Sequence, residues 1–157
     1  MKAIVFAALA FGAMILAAQA GARDDAKVVP EGQLPAWRQH WGYSDAIVTG
    51  DTIYLAGIVA ETKDGDPNLE AAYTRAFDRI GEVLAKAGAS WNDVVEITSF
   101  HTDVKAQMEP MIAVKNRYVR APFPAWTAIQ VSRLIPDRGI TEIRIVAKLP
   151  AGIRPLR

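Results

Sequence analysis

The run PFPAWTAIQVSRLIP, residues 122–136, sets an indole between two prolines at the entrance to an alternating strand. Trp126 there either fills a core or lines a pocket, where its flat ring would stack a second ring or sit over a cation. Other side chains able to do chemistry are thinly spread. There is no Cys, and His40 and His101 stand alone, so neither a metal centre nor any other cofactor is expected. His101 sits near a strand end on the same alternating face as Ser99 and Ile97, where a lone His is more often structural than catalytic. His40 lies in an aromatic-rich stretch and is a weaker candidate still.

The elements that must position these residues are legible in the pattern. Residues 46–49 and 52–56 are short β-branched runs around Gly50-Asp51, the signature of a hairpin, and residues 62–66 read as a polar loop. A helix follows, with Asp66 as N-cap, Pro67 in its first turn and Gly88 as C-cap. Leu69, Tyr73, Ala76, Ile80, Val83, Leu84 and Ala87 form its apolar face. Residues 93–102 return to strand character. A second helix covers about residues 105–119, restarting at Pro110, with Met108, Met111, Ile112, Val114 and Tyr118 on its buried side. Residues 125–134 and 142–149 are two further strands joined by the turn Pro136-Asp137-Arg138-Gly139. The order β-β-α-β-α-β-β predicts an α+β fold, a single mixed sheet with two helices packed on one face. The other face then needs a cover, and self-association is the simplest one.

The ends and the charge balance bound the setting. Lys2, the uncharged apolar run Ala3 to Ala17 and the small-x-small triplet Ala18-Gln19-Ala20 have the form of a cleaved signal peptide over residues 1–20. The expected organisation is then a leader segment over residues 21–41, an α+β domain over 42–149 and a tail over 150–157. Within the leader, residues 21–35 should be loose, while the aromatic-rich residues 37–46 should dock on the domain. Lys and Arg number 18 and Asp and Glu 17, and loss of Lys2 with the leader brings them level. A chain so balanced offers no field for a phosphate backbone, so nucleic acid is not an expected partner. Nor is a membrane, once the signal is removed. The expected location is periplasmic or secreted.

The stretches GYSDAIVTGDTIYLAGIV, AKAGASWNDVVEITSFHTDV and PFPAW with SRLIP and TEIRIVAKL together resemble the Rid family, also called YjgF or RidA-like proteins. The likeness covers about residues 42–149. It implies a chorismate-mutase-like fold, a homotrimer, and small-molecule pockets in the clefts between subunits. It also implies hydrolysis of enamines and imines such as 2-aminoacrylate and 2-iminopropanoate. By the same resemblance Tyr43 is a pocket residue, Gly57 a close backbone approach to the ligand, and Glu142 the acid that positions the hydrolytic water. Ala56 stands for a usual Ser, and Ile58 follows in the same substrate-binding stretch. Lys115 stands where Asn is common. Trp126 stands where the deaminating members carry the Arg that grips the substrate carboxylate as a planar fork.

Each role has a plainer counterpart. Glu142 as a strand carboxylate could pair with Arg144 or Arg133, and Tyr43 could be a packed aromatic. Lys115 could be a solvated helix residue, although it is the nearby cation able to replace the lost Arg as a point charge. Two functions remain in view: a hydrolase of the imine or enamine deaminase type, weak on 2-iminopropanoate because of Trp126, and a non-catalytic module holding an aromatic or cationic metabolite against that ring. Nuclease activity suits the neutral charge balance least. The signal-peptide reading is open to mass spectrometry of the protein recovered from its native compartment. The mature chain is expected to begin at or within a few residues of Gly21, and a soluble cytoplasmic protein that keeps Met1 would contradict it.

Overall fold

The computed structural model describes residues 21–30, 32, 35–63 and 67–152. The signal segment, the expected N-cap Asp66 and the end of the tail lie outside them. Ten elements follow in chain order: β1 (Lys27–Val29), α1 (Ala36–Trp41), β2 (Ala46–Thr49), β3 (Thr52–Leu55), β4 (Ile58–Glu61), α2 (Leu69–Ala87), β5 (Val94–His101), α3 (Val104–Tyr118), β6 (Ala125–Gln130) and β7 (Gly139–Lys148). A 3-10 turn, Trp91–Asp93, leads into β5. All seven strands form one mixed sheet in the order β1-β2-β3-β7-β5-β6, with β4 also on β7. Only β5 and β6 run parallel.

The long strand β7 organises the sheet. Along one edge it pairs first with β4, Ile143 opposite Ile58, and then with β3, Val146 opposite Tyr54. Along the other edge it pairs with β5 from Thr141–His101 to Ala147–Val94. Its burial alternates without a break: Thr141, Ile143, Ile145 and Ala147 are sealed inside while Arg144 and Lys148 are exposed. A period of two on a strand this long fixes one face against the core and leaves the other open.

Helix α2 covers the inner face. Its seven expected core positions hold, six buried and Leu69 half-buried, and Phe77 joins them, stacked on Trp91 with ring centres 5.2 Å apart. Gly88 ends it at φ +100, where a residue without Cβ is needed. The start differs from expectation. Asn68 is the N-cap, its Oδ1 accepting from Ala71 N at 3.0 Å, and Pro67 precedes the cap. Asn serves that role as well as Asp, and the chain before a cap suits proline too.

Three further departures have physical causes. Residues 27–29, expected as loose leader, pair with β2, because the β-branched Val28 and Val29 match the open edge of the hairpin. The chain also resumes pairing at Ile58 as β4, so residues 54–60 are two strands interrupted at Ala56-Gly57. The third is in α3, which runs unbroken through Pro110 and buries Gln107 and Lys115 beside Met111 and Val114, while Met108, Ile112 and Tyr118 are only half-buried. Gln107 is tolerated inside because it is satisfied: its Nε2 donates to Thr102 Oγ1 at 2.9 Å and its Oε1 accepts from Asp103 N at 3.2 Å.

The uncovered face carries Tyr54 and Ile129, both exposed, with Phe100 and Val146 half-buried. Replacing Asn68 by Ala is expected to lower the unfolding free energy by about 1 kcal/mol, measured by urea titration. Unchanged stability would place the helix start elsewhere.

Candidate functional site

Helix α1 ends at Gly42, whose φ of +67 is left-handed and whose N–H donates to Arg38 O at 2.9 Å. That turn directs Tyr43 and Ser44 back over the sheet. The result is a cleft of about 590 Å³ whose lining includes Arg23, Arg38, Tyr43, Ser44, Ile47 and Ala56. Tyr43 and Ala56, two of the expected pocket residues, are thus brought together. The Ala56 N–H is committed to Asp45 O at 2.9 Å, so that amide is not available to polarise a ligand.

Gly57 and Glu142 meet next to this cleft. A Cβ built on Gly57 would fall 1.8 Å from Glu142 Oε1 and 2.6 Å from its Cδ, so any larger residue there would displace the carboxylate from this position. The plain ion pairs suggested by the sequence are not formed. Arg144 lies 3.8 Å from Glu96, and Arg133 pairs with Asp137. Among the described residues no cation pairs with Glu142, and it is half-buried on the open face. Ile58 does not join it. Its register partner is the inward-facing Ile143, and its side chain packs against the core.

Trp126 and Lys115 form a second cluster under α3. Trp126 pairs in register with Ile97 and is half-buried on the inner face of the edge strand β6. Its indole Nε1 donates to Ser99 Oγ at 3.0 Å. From there a buried chain of hydrogen bonds runs from Ser99 to His101 Nε2 at 2.9 Å, from His101 Nδ1 to Thr141 Oγ1 at 3.1 Å, and from Thr141 to the Tyr73 hydroxyl at 2.7 Å. Burial pushes the His101 imidazole below its ordinary pKa, opposed by its contact with Gln107, and pushes the Tyr73 hydroxyl up to about 12. His101 is therefore a member of a satisfied internal network and lines no described cleft. The alternation that put it beside Ser99 is what the network uses.

Lys115 is buried, not solvated. Its Nζ donates to Asn116 Oδ1 at 2.7 Å and lies 5.2 Å from the Trp126 ring centre and 5.5 Å from that of Phe123. Burial lowers its pKa. Trp126 is thus neither plain core nor a bare pocket wall, since one of its faces already holds the protein's own ammonium. The register sets this cluster and Glu142 on opposite faces of the sheet, so one protomer does not unite them.

Two residues of the site were not singled out from the sequence. Phe123 was visible only as part of PFPAW. Arg38 sits between aromatics in AWRQHW, and its guanidinium carbon lies 5.2 Å from the Trp37 ring centre and 5.4 Å from that of Tyr43. Among the described residues no three His, Asp or Glu side chains converge as a metal-ligand group. No described helix is long and apolar enough to cross a membrane.

Comparison with known proteins follows the same outline. Residues 35–149 match the family described as Endoribonuclease L-PSP. The chain is 37% identical over 127 residues to the RutC family protein YjgH of Escherichia coli, covering 78% of this chain and 94% of that one. It is 32% identical over 111 residues to the 2-iminobutanoate/2-iminopropanoate deaminase of Bos taurus, covering 67% of this chain and 78% of the relative. Among solved structures, a Mycobacterium tuberculosis member of the YjgF family superposes with a TM-score of 0.68 at 25% identity, covering 79% of this chain and 99% of that one. The single mixed sheet, the helices on one face and these matches make one conclusion: the chain belongs to the Endoribonuclease L-PSP family of YjgF, RidA and RutC proteins.

Proposed function

We propose that this protein hydrolyses small imines or enamines, in a pocket completed by a second copy of the chain, outside the cytoplasm. The observation that carries the reading is Glu142: a half-buried carboxylate with no described cation, lodged against Gly57, the neighbour in sequence of the cleft residue Ala56. A carboxylate so placed can accept a proton from water as the oxygen attacks an imine carbon. That proton passes to nitrogen to give the carbinolamine. Glu142 then takes the carbinol hydroxyl proton and delivers it to nitrogen as the C–N bond breaks with its electrons going to nitrogen, and the products are a carbonyl compound and ammonia. An enamine substrate first takes a proton on carbon to give the imine.

The arrangement of the two clusters supports an oligomer. Tyr43, Gly57 and Glu142 belong to the open face, and Trp126 and Lys115 to the edge strand and the helix above it. A homotrimer that buries the open face would bring the edge of one copy to the cleft of the next. The apolar residues of that face, Tyr54, Phe100, Ile129 and Val146, suit such burial. Export rests on residues 1–20 alone. A pocket that stacks a cationic metabolite on Trp126 is less well supported, because Lys115 already occupies one face of the ring.

At position 126 there is no guanidinium to fork a carboxylate, and the Lys115 ammonium is a point charge held over two rings. The charge-assisted pair so lost would be worth about 1.5–3 kcal/mol, or roughly ten- to a hundredfold in rate. In a coupled assay where an amino-acid oxidase supplies 2-iminopropanoate and semicarbazide competes for it, this protein is expected to lag the bovine deaminase by that factor. The double variant Trp126→Arg, Lys115→Asn, which removes the neighbouring ammonium as it adds the fork, is expected to recover much of the gap. A wild type as fast as the bovine enzyme would overturn the reading of position 126.

A further inference from the structure

We propose that Arg38 is the anion-binding residue of this protein, its guanidinium receiving the carboxylate of a small ligand in the cleft beside Ala56 and Gly57. The assignment rests on the reading above that this cleft is the ligand site. It gives the carboxylate a partial substitute for the fork missing at position 126, which places the lag predicted above toward its lower end.

Arg38 lines the cleft together with Tyr43, Ser44, Ile47 and Ala56. Its Nη1 is 2.8 Å from Asp45 Oδ1, an ion pair in which no N–H is aligned on the oxygen. Among the described residues, neither Nη1 nor the equally buried Nε has an aligned hydrogen-bond acceptor. A guanidinium has five N–H donors and no way to shed its charge, so buried donors without acceptors call for a partner that is not part of the fold. A carboxylate in the adjoining cleft is such a partner.

The group is also held in place before any ligand arrives. Its plane packs near the rings of Trp37 and Tyr43 at 5.2 and 5.4 Å, and Asp45 anchors one end. Asp45 cannot fully neutralise it, because its second oxygen accepts from Arg79 Nη2 at 3.0 Å. The residues lining the cleft include Arg23 and Arg38 and no carboxylate. Asp45 behind Arg38 and Glu142 beyond Gly57 offset the charges of Arg23 and Arg38 and leave no positive excess, so a single carboxylate suits the cleft better than a phosphate dianion. The floor of Ile47, Ala56 and the Tyr43 ring is apolar. The ligand class is therefore a carboxylate on a short apolar body, entering from the α1 side of the cleft and not from β6.

The test uses the mature chain and two probes of equal size, butanoate and its neutral isostere butanamide, titrated by calorimetry. Butanoate is expected to bind and butanamide to bind at least tenfold more weakly. Arg38→Gln is expected to weaken butanoate by about tenfold or more, and Arg38→Lys by less. Equal affinity of butanoate for wild type and Arg38→Gln, or equal binding of the two probes, would overturn the proposal. Should Arg38→Gln fail to fold, the Arg38 Nε–H resonance of the wild type decides. It is expected to shift on adding butanoate and not butanamide, and a resonance unmoved by butanoate overturns the assignment. Turnover is scored separately. A chain that binds butanoate through Arg38 but hydrolyses no imine keeps this assignment and loses the hydrolase, whereas turnover with Arg38-independent butanoate binding does the reverse.

Discussion

The strict alternation of β7 is the constraint on which the rest depends. The strand pairs with β3 and β4 on one edge and β5 on the other, and a slip of one position would bring Arg144 into the core and expel Ile143 and Ile145. Because Thr141, Ile143, Ile145 and Ala147 must face α2, Glu142 must face the other way. The core therefore dictates where the Glu142 carboxylate points. The break between β3 and β4 completes the arrangement, since glycine at position 57 lets the chain pass the Glu142 side chain without a clash.

Much of this was readable from the sequence because it rests on local periodicity. The apolar face of α2, the Gly50-Asp51 hairpin and the Pro136–Gly139 turn are each encoded within a dozen residues. What escaped depends on distant partners. Strand β4 is a strand because β7, some eighty residues later, pairs with it; β1 is a strand because the hairpin leaves an edge open. The burial of Gln107 and Lys115 defeats a hydrophobic template for the same reason. Each polar head finds its partner, Thr102 or the Trp126 and Phe123 rings, on another element. The site shows the same division. Tyr43 and Ala56 share a cleft, Trp126 and Lys115 meet each other, and Ile58 turns inward with its register partner Ile143.

Two cation–aromatic arrangements frame the chemistry, and they differ in kind. Lys115 over Trp126 and Phe123 is a compact ammonium whose charge is spread against two rings and whose hydrogen bond goes to Asn116. Arg38 beside Trp37 and Tyr43, with Nη1 2.8 Å from Asp45, keeps directional N–H groups that have no aligned acceptor among the described residues. A carboxylate gains more from the second than from the first, because fixed donors add geometry to charge. The absence of a guanidinium at position 126 and the proposed use of another on α1 are in this view one change in how a ligand is held, with the Glu142 carboxylate left where β7 puts it.

The most direct measurement is turnover by Glu142→Gln across imines generated from a panel of amino acids, with oligomeric state and thermal stability measured alongside. The amide keeps the size of the side chain beside Gly57 and removes its ability to take a proton. A fall of about a hundredfold or more in kcat, with assembly and stability intact, is the expected result. A variant as active as the wild type would show that the carboxylate held by β7 is not the group that activates water.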